Sequence, residues 1–205
     1  WAAHSQRFEA SAATREPARA REVCGQDVVI TENVMDVVNN PDIDIVVELI
    51  GGTTIAKDIV FKAIENGKHV VTANKKLLAE YGNEIFAAAQ AKGVTVAFEA
   101  AVAGGIPIIK ALREGLTANK IEWVAGIING TSNFILTEMR DKGLAFADVL
   151  KEAQRLGYAE ADPTFDIEGH DAAHKLTIMS AIAFGIPVQF DKAYLEGISR
   201  LDAQD

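Results

Sequence analysis

Cysteine occurs once, at Cys24, in a chain of 205 residues. A single thiol closes no internal disulfide and has no partners for a zinc site, so it reads as a free thiol in a reducing cytosol. Basic residues are in deficit, 20 Lys and Arg against 29 Asp and Glu, giving a formal net charge of −9. Such a surface repels polyphosphate, and no basic cluster or aromatic-basic stripe offsets it, so no nucleic acid is expected as a partner. Long apolar runs are also missing. No charge-free stretch exceeds 15 residues, and Leu176 to Phe190, of that length, contains Gly185, Pro187 and Gln189. A membrane span needs roughly 20 mostly apolar residues, so a buried helix is expected there and no membrane. Low-complexity tracts and solenoid-length repeats are absent. The opening Trp1-Ala-Ala-His-Ser-Gln-Arg7 lacks the basic and apolar regions of a signal peptide. A cytoplasmic location follows, and the chain reads as an internal piece of something longer. Absent too is any Gly-x-Gly-x-x-Gly, the phosphate turn that dinucleotide-binding folds place after their first strand.

What remains is an ordinary soluble composition, 49% hydrophobic and 24% charged, with enough length for one large domain or two small ones. From residue 42 strand and helix alternate. Ile43–Ile50 is an apolar, β-branched run that stops at Gly51-Gly52, as a strand buried on both faces should. Thr54 is placed to cap a helix through Ile64, with Gly67 just beyond. A strand at His69–Thr72, a helix from about Lys76 to Ala91, a strand at Val94–Phe98 and a helix from Pro107 to about Glu114 follow, with Pro107 in the first turn. Phe8–Thr14 fits the second strand of such a sheet, with strand one and its glycines upstream of Trp1. From Lys120 the pattern changes. Ile121–Ile128 reads as a strand ending in the loop Asn129–Asn133, followed by helices near Phe134–Asp141 and Phe146–Leu156, an acidic loop Gly157–Gly169, and a helix His170–Phe184. The expected fold class is α/β: a partial, Rossmann-like doubly wound parallel sheet over 1–118, then an α+β substrate domain over 119–205.

In an open parallel sheet, ligands sit beyond the carboxyl ends of the strands. Three short polar or glycine-rich loops leave strands at that edge: Gly51-Gly52-Thr53-Thr54, Ala73-Asn74-Lys75-Lys76 and Glu99–Gly105. Together they suggest a nucleotide cofactor, although any one is ordinary for an α/β loop. Lys75 has two readings. A lysine just past a strand end usually extends into water; alternatively its ammonium faces the reacting oxygen or the nicotinamide amide. Lys76 reads as solvating the helix start.

The second constellation runs from Tyr158 to Lys175 and carries Glu160, Asp162, Asp166, Glu168 and Asp171. Asp171 and Lys175 are four apart and share a helix face. Lys175 lies near a helix N-terminus and precedes the uncharged run. Both features disfavour the ammonium, while Asp171 favours it and holds it in place. A lysine so balanced is suited to donating and accepting a proton; the bland alternative is an exposed ion pair. The carboxylates read as a solvated loop, a divalent-metal site or a seat for a substrate ammonium. His170 and His174, four apart, lack a third ligand at matched spacing and read as surface or helix-start residues.

The phrases VVELIGG (46–52), HVVTANKKLLA (69–79), EAAVAGGIPII (99–109), GIINGTSNFIL (126–136), GYAEADPTFDIEGHDAAHKL (157–176) and FGIP (184–187) together resemble the homoserine dehydrogenase family, from about residue 8 to the end. The resemblance implies interconversion of aspartate semialdehyde and homoserine with NADP or NAD. It implies Lys175 as proton donor to the aldehyde oxygen, Asp171 as its orienting partner, and Lys75 beside nicotinamide and substrate. Glu160 and Asp166 would hold the substrate amino group. Gly51, Thr53 and Asn74 would join Lys75 at the cofactor, and Arg15, at the end of the second strand, would favour the extra phosphate of NADP. Backbone carbonyls of Glu99, Val102, Gly104 and Ile106 would hold a sodium ion, and the second domain would build a homodimer. Departures from the family are the absent glycine turn, closing part of the catalytic domain and C-terminal regulatory domain. They lead one to expect weak cofactor binding and little turnover from these residues alone. Another amino-acid-type NAD(P) dehydrogenase and a catalytically silent interaction module are the competing readings.

Overall fold

The computed structural model describes residues 10–202. They form two compact units: one ends at Phe98, and the other comprises Leu78–Glu80 and the residues from Glu99 onward. No described helix is long and apolar enough to cross a membrane.

In the first unit, β1 (Ala10–Ala13) pairs in parallel with β2 (Val28–Thr31). A second parallel sheet has the order β3 (Ile45–Glu48), β4 (His69–Thr72), β5 (Val96–Ala97), with Val46 opposite Val70 and Val70 opposite Val96. β1 lies inside the expected Phe8–Thr14, whose first two residues fall outside the described ones. The stretch between, α1 (Pro17–Cys24), β2 and α2 (Val34–Asn39), is additional to the elements read from the sequence. Pro17 opens α1, and the Asn33 side chain caps α2 by accepting the Met35 N–H.

α3 (Ile55–Glu65) buries Ala56, Ile59, Val60, Ala63 and Ile64, the spacing of one helical face. Thr54 occupies its N-cap position but makes no side-chain cap bond. With Leu77, Ile85 and Ala89 of α4 (Lys75–Lys92), that face covers Val46, Val70 and Val96. β3 is not buried on both faces as expected. The helices cover only the face bearing Val46, so Ile45 and Val47 remain more than half exposed. Lys68 is nearly buried, and its Nζ donates to the carbonyls of Asn40 and Ile43, both at 2.5 Å, pinning the turn that enters β3.

β1 and β3 do not pair. Between them lies a cavity of about 500 Å³, lined by Ala10–Ala13, Ile43, Ile45–Ile50 and residues of α2 and α3.

The second unit starts in a tight turn, with Ala103 and Gly104 both left-handed at φ 59° and 56°. The Glu99 carboxylate accepts the N–H groups of Ile109 and Lys110 at 2.9 and 3.0 Å, capping α5 (Ile108–Lys110), which continues as a π-turn through Gly115. Pro107 therefore stands at the cap position, one residue before the first turn. Residues 121–128 form no strand, contrary to expectation. β-branched residues favour extension, but no described strand lies beside them, and Trp123 and Ile127 are 74% and 80% exposed.

α6 (Gly130–Lys142) begins four residues before the expected Phe134, because Asn129 caps it by accepting the Ser132 N–H at 2.7 Å. Ile135 and Met139 of α6 pack on Val149 and Ala153 of α7 (Phe146–Arg155). The acidic loop contains one helical turn, α8 (Thr164–Ile167). α9 spans His170–Phe184, between left-handed Gly169 and Gly185, as the sequence suggests.

Candidate active site

The candidate polar side chains form two sets, one in each unit.

In the first unit, Glu48 closes β3 with its carboxylate almost wholly buried. One oxygen accepts the backbone N–H groups of Ile50 and Gly51, at 2.7 and 2.9 Å, and the other accepts the Thr72 hydroxyl at 2.6 Å. Thr72 Oγ1 in turn accepts the Asn74 N–H, and Asn74 Nδ2 donates to the Gly52 carbonyl at 2.7 Å. Asn74 Oδ1 caps α4 through the Leu77 N–H. The loop after β3 and the start of α4 are thus tied together at the carboxyl edge of the sheet. Gly51 and Gly52 both have positive φ, 81° and 71°, which L side chains rarely adopt. Thr53 follows them half-buried, and Lys75, the first residue of α4, is also half-buried, while Lys76 is exposed. Arg15 is exposed just past β1.

In the second unit, Lys175 and Asp171 share a face of α9. Lys175 Nζ donates to Asp171 Oδ2 at 2.5 Å and to the Ile128 carbonyl at 2.7 Å. The same Asp171 oxygen accepts Asn129 Nδ2 at 2.9 Å, and that amide also donates to Asp166 Oδ1 at 2.7 Å. Asp166 Oδ2 lies 2.9 Å from the Thr131 hydroxyl, which has one proton to divide between this carboxylate and the Tyr158 carbonyl at 2.8 Å. Ser132 Oγ donates to the Asp166 carbonyl. The extended segment ending at Asn129, the first turn of α6, α8 and α9 therefore meet in one hydrogen-bonded cluster.

Sequence reasoning singled out Lys175, Asp171 and Asp166, and the structure joins all three. It passed over Asn129, Thr131 and the Ile128 carbonyl. An Asn ahead of Gly-Thr-Ser and an apolar run is a helix-start signal that would have drawn attention to Asn129; a backbone acceptor leaves no such sign. Glu160 is exposed and outside this cluster, its carbonyl accepting Gln154 Nε2 at 3.1 Å. Asp162 turns back to Thr164, accepting its N–H and hydroxyl, and these bonds hold its carboxyl below the usual aspartate value. Glu168 accepts the Ser199 hydroxyl. His170 is exposed and stacks on Phe165, whereas His174 is buried against Phe165 and Phe190. Among the described residues, no group of three or more His, Cys, Asp or Glu could hold a metal ion.

A cavity of about 420 Å³ opens beside Asn129, Ser132 and Asp166. Lys175 is not part of its wall, so this cavity alone marks no substrate position for the amine.

Residues 5–99 match the family model for "Homoserine dehydrogenase, NAD binding domain", and residues 107–205 match that for "Homoserine dehydrogenase". The chain belongs to the homoserine dehydrogenase family. A homoserine dehydrogenase of Pseudomonas aeruginosa is 73% identical over 176 residues, covering 86% of this chain and 41% of the relative. The crystal structure of a homoserine dehydrogenase from Thiobacillus denitrificans superposes with a TM-score of 0.89 at 74% identity, over 95% of this chain and 45% of that one. A hyperthermophilic archaeal homoserine dehydrogenase solved in complex with NADPH superposes with a TM-score of 0.76 at 30% identity, over 92% of this chain and 60% of that one. The chain spans less than half the length of the curated relative it matches. The NAD-binding match falls on the first unit, which carries the parallel sheets and the Glu48–Asn74 edge.

Proposed function

We propose that the whole protein interconverts L-aspartate 4-semialdehyde and L-homoserine, with NADP or NAD as hydride carrier. The observation that carries this reading is the hold on Lys175. An ammonium has three donors; Asp171 and the Ile128 carbonyl take two. The direction of the third is thereby fixed, as a group that delivers a proton to one oxygen requires.

Lys175 gives its proton to the aldehyde oxygen during reduction and recovers it from the hydroxyl during oxidation. Asp171 holds the amine and balances its charge. Asp166 and Glu160 receive the substrate ammonium; Asp166, already fixed by Asn129 and Thr131, keeps lone pairs for it. A bound nicotinamide cofactor supplies or takes the hydride. Gly51, Thr53 and Asn74 shape the backbone against it, Lys75 lies beside it, and Arg15 favours the 2′-phosphate of NADP. The two left-handed glycines let the chain come close to a flat ligand.

Sodium would be held by the carbonyls of Glu99, Val102, Gly104 and Ile106. The Glu99 and Ile106 carbonyls already accept the N–H groups of Val102 and Ile108. A carbonyl has two lone pairs, and consecutive left-handed residues reverse the chain sharply here, so the turn fits a cation held by backbone oxygens. Assembly is proposed as a homodimer through the second domain, with no nucleic acid or membrane partner.

The test is Lys175→Ala in the full-length protein, assayed with homoserine. Turnover should fall roughly 10²- to 10⁴-fold with cofactor affinity little changed. Unaltered kcat would remove Lys175 from the reaction.

A further inference from the structure

We infer that Asn129 is a positioning residue for the reaction, holding the substrate-amine carboxylate and the proton-transfer pair in fixed relation. The inference rests on the roles proposed above for Asp166, Asp171 and Lys175.

Both hydrogens and the oxygen of the Asn129 amide are engaged. One hydrogen of Nδ2 goes to Asp166 Oδ1 at 2.7 Å, the other to Asp171 Oδ2 at 2.9 Å, and Oδ1 accepts the Ser132 N–H at 2.7 Å. The amide orientation follows from this set. Turned over, it would set an oxygen against two carboxylates and a hydrogen-bearing nitrogen against a backbone N–H. Asn129 is also buried, at 9% exposure, so water does not substitute freely for it.

Two acids sharing one small NH₂ group hold their oxygens within about 6 Å of each other. Left alone at that distance, two carboxylates repel each other. The amide supplies two donors without adding charge of its own. It therefore keeps both acids aimed, one toward a substrate ammonium and the other toward Lys175. Because Asp171 Oδ2 serves both Asn129 and Lys175, a shift of the amide moves the amine as well.

A merely structural reading exists, since Asn129 also caps α6. Asn129→Ser separates the two roles. Serine is about as good an N-cap as asparagine, but its single hydroxyl does not span two carboxylates. In the full-length protein this variant should lose roughly 30- to 100-fold in kcat/KM for homoserine. Its KM for the dinucleotide should stay within about threefold, while its unfolding midpoint falls by roughly 2–12 °C as the two buried acids lose their shared donor. Asn129→Asp retains the cap acceptor and the shape but turns both donors into acceptors beside like charges. It should lose more, roughly 10²- to 10³-fold.

Lys175→Ala, assayed in parallel, distinguishes the two layers of the argument. Loss in both lysine and asparagine variants supports both. Loss in Asn129→Ser with turnover intact in Lys175→Ala supports the bridge and overturns the acid–base role of the lysine. Homoserine kinetics within about threefold of the parent in both Asn129 variants would overturn the bridge.

Discussion

Asp171 and Lys175 stand one helical turn apart and meet at 2.5 Å, with the acid side chain 4% and the lysine side chain 17% exposed. An exposed pair at this spacing contributes only about 0.2–0.5 kcal/mol. Here the acid is enclosed and accepts a second donor from Asn129. Asp171→Ala strands both donors and should cost about 3 kcal/mol in denaturant unfolding, together with most of the turnover. A loss below about 1 kcal/mol would place the pair with solvent-screened surface bridges.

At the edge proposed for the cofactor, Glu48→Ala removes both accepting oxygens and leaves the Ile50 and Gly51 N–H groups and the Thr72 hydroxyl without that partner. About 1–3 kcal/mol of stability should be lost, and the Gly51-Gly52 loop should loosen. Cofactor titration by fluorescence should show a weaker dinucleotide, whereas kcat at saturation should change little. Unchanged dinucleotide affinity would mean that Glu48 serves only the sheet.

The turn after Glu99 permits a paired test of backbone strain. A Cβ added at Gly104 meets nothing within 4 Å, so Gly104→Ala pays only for its left-handed backbone, about 1 kcal/mol. Ala103 already bears that cost. Ala103→Gly relieves it while freeing the unfolded chain, and the two effects should leave stability within about 0.5 kcal/mol of the parent. Thermal unfolding of both variants checks the pair.

Asp162 gives a pH prediction of definite sign. The Thr164 hydroxyl, then the Thr164 N–H, hold its carboxyl below the usual value of 3.8. A folded value below the unfolded one adds stability above the unfolded value, and this is lost as pH falls through the folded value. A carboxyl titration followed by NMR should give Asp162 a midpoint below 3.8. Thr164→Ala should return it toward that value.

The legible parts of the fold are those where strong local signals agree. α9 matches its expected ends because a glycine stands at each, and β4 matches because His69–Thr72 is a β-branched run between turn residues. The run Ile121–Ile128 is also rich in β-branched residues but forms no strand, since pairing depends on a neighbour that composition does not encode. α1, β2 and α2 escaped notice because each is short and set among charged residues. At the site, charged side chains at helical spacing revealed Asp171 and Lys175. Asn129 was hidden in a polar sequence that resembles any loop, and only three-dimensional proximity brings it to Asp166, 37 positions away.

The second anchor of the Lys175 amine is the main-chain oxygen of residue 128. An alanine scan would leave that oxygen in place and score the position as silent, although the amine leans on it as directly as on Asp171. Substitution tolerance at 128 is thus a poor guide to its part in holding the amine. Replacing the 128–129 amide with an ester, which weakens the carbonyl as an acceptor while sparing every side chain, would expose that hidden contribution.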